Sequence, residues 1–172
     1  MKQPNIETQR LILRPFCDND APRIAELAGE KIIADMTENM PHPYEPSMAI
    51  EWISTHQSAF EQKLAVVYAI TIKGDNRIIG SVSFPQLGKG EGTLGYWLGV
   101  PFWGSGFAFE AAKGLIEYCK ANLGLRIVHA VHFTENTRSQ SVIEKLRIPF
   151  FEETTHLVKG AQCPVRVYKG DV

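Results

Sequence analysis

Three cysteines in 172 residues, Cys17, Cys119 and Cys163, are odd in number and far apart, and no C-x-x-C pair occurs. That argues against both a disulfide framework and a cysteine-based zinc site. His42, His56 and His156 have no metal-like partners nearby in the sequence, so no metal site is expected. A net charge of −1 with 22% charged residues lacks the basic excess of a nucleic-acid module. No apolar run approaches membrane-spanning length, and the opening MKQPNIETQR carries no apolar signal core. A cytoplasmic protein without membrane or nucleic-acid partners is the expectation. No repeat, low-complexity tract or linker divides the chain, so residues 1–172 are expected to form a single domain. At 44% hydrophobic it has enough apolar material for a full core.

What is present alternates between two periodicities. Ile6–Arg14 reads as a strand stopped by Pro15. Asp18 is placed to cap a helix over about residues 19–29, with Ile24, Leu27 and Ala28 as its apolar stripe. Met40–Pro46 is too proline-rich for a helix or central strand and reads as an ordered loop. Ser47–Leu64 then reads as one helix. Ala65–Lys73 and Arg77–Phe84 are β-branched and aromatic runs joined by Gly74-Asp75-Asn76. Gly88–Gly92 is a second turn, followed by a strand over Thr93–Gly99. Ala108, Ala111, Ala112, Leu115, Ile116 and Cys119 then form one face of a helix ending near Gly124, which makes Cys119 a core residue. Arg126–Thr134 reads as a strand, Asn136–Leu146 as a short helix, and Phe150–Val158 and Val165–Lys169 as closing strands. This order spells an α/β fold: a mixed sheet with helices on both faces.

The stretch GYWLGVPFWGSGFAFEAA (Gly95–Ala112) restarts as a helix directly after two glycines, with no acidic cap. A helix start carries free N–H groups and about half a unit of positive charge. Gly104 and Gly106 around Ser105, with small Ala108 behind, let an anion approach that backbone. No acidic residue lies between Gly92 and Phe109 to compete with it. The Walker string GxxxxGK[ST] is missing, and Phe109 stands where a dinucleotide fingerprint needs a small residue. Taken alone, the turn is either a phosphate cradle or a tight connection.

Read whole, Trp103-Gly104-Ser105-Gly106-Phe107-Ala108 resembles the acyl-coenzyme A loop, Gln/Arg-x-x-Gly-x-Gly/Ala, of the GNAT N-acetyltransferase superfamily. Tryptophan at the first position resembles the RimJ/RimL-type branch. TQRLILRPF (Thr8–Phe16), MPHPYEPSMAIEWI (Met40–Ile53), RIIGSVSF (Arg77–Phe84) and LRIVHAVHFTENTRSQSVIEKL (Leu125–Leu146) are similar to further family segments, in the family's order.

The resemblance implies a mostly antiparallel central sheet whose fourth and fifth strands splay apart after a bulge, here at Leu98-Gly99. Pantetheine would lie in that gap, against Leu98 and Gly99, with pyrophosphate on the backbone from Gly104 to Ala108. Asn136 and Ser139 match the family's Asn-x-x-Ser. Asn136 would hold the cofactor arm or cap its own helix, and Ser139 would face the departing sulfur. The family often carries an acidic residue where this chain has Thr93, which leaves the general base open between Glu91, His132 and no dedicated base at all. Glu91 also reads as part of a solvated turn. LRIPFF (Leu146–Phe151) departs from the usual Leu-Gly-Phe, which puts the exit of that helix and the final hairpin at issue. The implied activity is acetyl transfer from acetyl-CoA to a primary amine, either a protein N-terminal α-amine or a small amine or amino acid. The implied assembly is a monomer or homodimer. A non-catalytic acyl-CoA-binding or sensor module is the competing expectation.

Overall fold

Where one first strand was expected there are two. In the computed structural model, which describes residues 1–172, Ile6–Glu7 (β1) and Leu11–Arg14 (β2) pair antiparallel, Ile6 opposite Leu13. Thr8 turns the chain between them. Its N–H donates to the Leu11 carbonyl at 3.0 Å, and its hydroxyl accepts from the Leu11 N–H at 3.1 Å.

The first helix, α1 (Ala21–Ala28), buries Ile24, Leu27 and Ala28 as expected, but Asp18 does not cap it. Asp18–Asp20 forms a short 3-10 turn instead. The Asp20 carboxylate is committed to Arg14, in two hydrogen bonds of 2.8 and 2.7 Å, and to the Cys17 N–H at 2.9 Å. Burial pushes that carboxyl up, yet these bonds outweigh it and hold the group below its ordinary value. A five-residue helix, α2 (Lys31–Asp35), precedes the Met40–Pro46 loop.

The expected helix over Ser47–Leu64 breaks at Thr55 into α3 (Pro46–Ser54) and α4 (His56–Glu61). The Ser54 and Thr55 hydroxyls each donate to the carbonyl three residues back, Glu51 at 2.6 Å and Trp52 at 2.8 Å. Such bonds compete with the helical ladder.

Strands β3 (Val66–Ile72), β4 (Ile78–Gly88) and β5 (Glu91–Leu98) follow, with Lys89 and Gly90, both at positive φ, as a two-residue hairpin loop. Helix α5 (Phe107–Asn122), strand β6 (Ile127–Phe133), helix α6 (Thr137–Lys145) and strands β7 (Phe150–Val158) and β8 (Ala161–Asp171) complete the chain. Arg147 takes the left-handed conformation (φ 60°) at the exit of α6 that glycine would fill without strain. Phe151 is then left over where β7 meets β8, between the pairs Phe150–Tyr168 and Glu152–Val167.

The eight strands lie in the order β1-β2-β3-β4-β5-β6-β8-β7. Every neighbouring pair is antiparallel except β5 with β6. These two are the expected fourth and fifth strands, and they do splay: only Glu91–Ile127, Gly92–Val128 and Thr93–His129 pair. The expected bulge at Leu98-Gly99 is elsewhere. The register of β4 on β5 slips between Ser83 and Gln86, at Pro85, which has no N–H to give a neighbouring strand.

One sheet face is covered by α5 and α6, whose Ala111, Leu115, Ile116, Cys119 and Ile143 pack with Val82, Leu94, Leu98 and Val128. The other carries α1 and α3, with Ile24, Leu27 and Ala49 against Val67, Ala69 and Ile78.

Candidate active site

Helix α5 begins without a side-chain cap, and Gly106 at its N-cap position has φ 79°. Gly104, at φ 87°, makes the approach. The N–H groups of Gly106, Phe107, Ala108 and Phe109 meet no protein acceptor, so the positive end of a sixteen-residue helix faces outward.

The nearest carboxylate, Glu110 in the first turn, is taken out of play. It accepts from the Thr8 hydroxyl at 2.6 Å, the Arg10 N–H at 2.8 Å and Arg10 Nε at 2.7 Å. Burial pushes this carboxyl up, and the Thr8 and Arg10 bonds bring it below its ordinary value. Arg10 also donates from Nη1 to the Ser105 carbonyl at 2.8 Å and lies over the Phe107 ring, 4.6 Å from its centroid. Sequence reasoning misses Arg10 because its partners are a hundred residues away and no local spacing signals them.

Trp103 fills the family's Gln/Arg position with two contacts. Its indole N–H donates to the Leu98 carbonyl at 2.9 Å, and the Arg138 guanidinium sits 3.6 Å above its ring. Gly99 spends its own N–H on the Ile79 carbonyl at 2.8 Å. A side chain there would drive into Leu27 of α1, because a Cβ at this position would lie 2.8 Å from Leu27 Cδ2. Because strand backbone groups alternate in direction, those of Leu98 and Tyr96 point away from β4 into the gap beside β6, while the Gly99 N–H points toward β4 and its carbonyl accepts from the Phe102 N–H at 2.9 Å. Of the two residues expected to meet pantetheine, Leu98 faces the gap and Gly99 serves the packing of α1.

A cavity of about 840 Å³ passes through the sheet at this gap. On one side it is lined by Gly104, Gly106, Phe107, Ala108 and Asn136, and on the other by Met40, Tyr44, Trp52 and Trp97. At the junction the Tyr96 hydroxyl lies 2.6 Å from Ser139 Oγ and 3.2 Å from the Ser139 carbonyl. Burial pushes the Tyr96 phenol up to about 12, so it remains a neutral donor. The sequence pattern marks Tyr96 only as part of an apolar strand. Asn136 caps α6, its Oδ1 accepting the Ser139 N–H at 3.2 Å, which leaves its amide N–H₂ free.

Of the other two candidates, His132 reaches the cavity wall and Glu91 does not. Glu91 is outside the cavity lining, and its carboxylate pairs with His129 Nε2 at 2.8 Å. That bond holds the Glu91 carboxyl below its ordinary range. His132 touches the cavity wall but is 4% exposed. Its Nδ1 lies 2.6 Å from the Phe133 carbonyl, which can only accept, so Nδ1 carries the proton. Nε2 is then left to accept from the Tyr168 hydroxyl at 3.1 Å. Both nitrogens of His132 are thus bonded within the protein, and its ring stacks on Tyr168. No group of three or more His, Cys, Asp or Glu side chains is arranged to hold a metal ion.

Residues 10–148 match the family model for the acetyltransferase (GNAT) domain. The chain belongs to the GNAT acetyltransferase family. An uncharacterized N-acetyltransferase, YoaA of Bacillus subtilis (strain 168), is 30% identical over 147 residues, 83% of this chain and 81% of its own. Among solved structures, RimL, a ribosomal L7/L12 alpha-N-protein acetyltransferase in complex with coenzyme A, superposes with a TM-score of 0.88. It is 16% identical, with 98% of each chain covered. The microcin C7 self-immunity acetyltransferase MccE, in complex with acetyl-CoA and AMP, superposes at 0.84 with 18% identity, over 95% of this chain and 93% of that one. This GNAT chain therefore has the fold that its sequence implied.

Proposed function

We propose that this GNAT protein transfers an acetyl group from acetyl-CoA to a primary amine by direct attack, the amine being a protein N-terminal α-amine or that of a small molecule. The observation that carries the reading is the continuity of the site. A bare helix start, a gap between two splayed strands and a pair of hydroxyls at the junction line a single cavity.

In this reading the N–H groups from Gly106 to Phe109 take the pyrophosphate, and the outward backbone groups of Tyr96 and the N–H of Leu98, whose carbonyl is held by Trp103, take the pantetheine arm. The acceptor nitrogen attacks the thioester carbonyl, a C–N bond forms and the C–S bond breaks. A departing thiolate resembles a cysteine's, with a pKa around 8.5, so one donor helps it leave. Ser139 supplies that donor. In this reading the neutral Tyr96 hydroxyl gives its one proton to Ser139 Oγ rather than to the Ser139 carbonyl, which frees the serine's own proton for the sulfur. The nitrogen's proton leaves to water.

The test is release of free coenzyme A thiol from acetyl-CoA against a panel of amines, with thermal stabilisation by acetyl-CoA measured in parallel. Stabilisation without thiol release from any amine would leave a binding module and overturn the enzyme reading.

A further inference from the structure

Charge along the cavity is divided. Arg138 and Lys145 line the half beside the glycine cradle, and Glu38 is the only carboxylate anywhere on the wall. Glu38 lies between α2 and the Met40–Pro46 loop, on the opposite side of the sheet from the cradle. It stands where the cavity meets a shallower depression on the surface, and 37% of its side chain is exposed.

The carboxylate is fixed in place but not used up. His156 of β7 donates from Nδ1 to Glu38 Oε1 at 2.6 Å, and no hydrogen bond reaches Oε2. Neither neighbouring lysine bonds Glu38: Lys31 pairs with Asp35 at 2.9 Å, and Lys159 directs its ammonium to the Ala34 carbonyl at 2.7 Å. Behind Glu38 the walls are apolar and soft, made by Met36, Met40, Met48, Trp52 and Trp97. Methionine walls adapt to apolar shapes without a fixed template.

From this arrangement we infer that the acceptor is a primary amine attached to a bulky apolar group and free of a nearby carboxylate, with Glu38 Oε2 receiving its ammonium at the cavity mouth. This rests on the acetyl-transfer reading and narrows its acceptor. A cation is attracted and an α-carboxylate repelled at the rim, so free amino acids are poor ligands while amines with aromatic or alkyl bodies are good ones. Beyond the rim the apolar walls disfavour the charged form, so the amine sheds its proton as it moves toward the strands' gap.

The test is a binding titration at pH 7 that needs no turnover. Trp52 and Trp97 line this half of the cavity, so intrinsic fluorescence reports occupancy. The probes are phenethylamine, its neutral alcohol counterpart phenethyl alcohol, ethanolamine and phenylalanine. Phenethylamine should bind about tenfold or more tighter than each of the other three. Glu38→Gln keeps an oxygen for His156 and should lower phenethylamine affinity by about tenfold while leaving phenethyl alcohol unchanged. Met48→Gln, at a partly exposed wall position, should weaken phenethylamine and phenethyl alcohol together. Equal binding of amine and alcohol by the unaltered protein, or tight binding of phenylalanine, would overturn the inference. Thiol release is scored separately: turnover of polar amines without apolar preference sinks this inference and leaves acetyl transfer standing, whereas selective phenethylamine binding without any turnover does the reverse.

Discussion

The Tyr96 hydroxyl and Ser139 Oγ, 43 residues apart in sequence, are 2.6 Å from each other across the gap where β5 leaves β6. On the proposed reading these two hydroxyls, the first buried and neutral, act as one donor chain toward whatever occupies the gap. Ser139→Ala should lower kcat by up to ~10²–10³ with little change in acetyl-CoA affinity, because the donor matters as charge develops on sulfur. Tyr96→Phe should lower kcat less, and the double variant should be no slower than Ser139→Ala alone. Steady-state kinetics under conditions where chemistry limits turnover check this. Additive losses would mean that the two hydroxyls act independently.

The link between Arg10 and Glu110 leads to a second expectation. Arg10 neutralises a carboxylate in the first turn of α5 and holds the loop through the Ser105 carbonyl. Arg10→Ala should free that negative charge to compete with the pyrophosphate for the helix start and weaken acetyl-CoA by about fivefold, as one charge at a helix end is worth up to roughly 1 kcal/mol. Adding Glu110→Gln should restore much of the affinity, which loss of packing alone would not allow. Gly106→Val, in contrast, forces a β-branched residue to φ 79° where the backbone meets the anion, and should abolish stabilisation by acetyl-CoA outright. Calorimetric titration of the four proteins decides between these outcomes.

These residues also show which parts of the molecule were legible in the sequence. Gly104 and Gly106 were readable because only glycine adopts positive φ freely, and a helix starting on it leaves a local pattern. The apolar face of α5 was readable from its period, and Cys119 is indeed fully buried, its thiol pushed up to about 12. What stayed hidden depends on partners distant in the chain. Arg10, Tyr96 and Glu38 look like ordinary strand and loop residues until Glu110, Ser139 and His156 arrive beside them. The break at Thr55 was hidden for another reason: serine and threonine in a helix interior bond inward or outward according to context, which periodicity does not record.

His56 supplies a stability test away from the chemistry. Its ring is packed between Phe16 and Trp52, 5.9 and 4.4 Å between centroids, and neither nitrogen has a hydrogen-bond partner. Burial pushes its pKa from 6.5 down to about 4. Above pH 6.5 the imidazole is neutral in both folded and unfolded chains and adds no pH dependence. Between 6.5 and 4 the unfolded chain binds a proton that the folded one refuses, so stability falls as the pH drops, and the loss levels off below 4. At 1.36 kcal/mol per unit the full loss is about 3 kcal/mol. His56→Phe should flatten the dependence of Tm on pH between 4 and 7. An unchanged slope would assign the acid sensitivity to other groups.

The sequence leaves the general base open between Glu91, His132 and no dedicated base, and the structure adds what each of these side chains on β5 and β6 is bonded to. Thr93 lines the cavity where relatives often carry a carboxylate, Glu91 is engaged by His129 outside it, and His132 has both nitrogens bonded. If no protein group takes the proton, the acceptor must supply its own neutral form. An α-amine has a pKa near 7.7–8.0, so roughly a tenth is neutral at pH 7, while a lysine side chain near 10.4 is almost wholly charged. That gap of about 2.5 units corresponds to roughly 3.5 kcal/mol, a preference on the order of 10²-fold at pH 7. Matched peptides measure it, one with a free N-terminus and no lysine, the other N-blocked with one lysine. For each, kcat/KM should climb with pH up to the acceptor's own pKa, so the two profiles bend at different pH values. Thr93→Glu, which adds a carboxylate inside the cavity, should narrow the preference by speeding the lysine peptide. Profiles that bend at one shared pH, whatever the acceptor, would point to a base on the protein and return attention to Glu91 with its His129 partner.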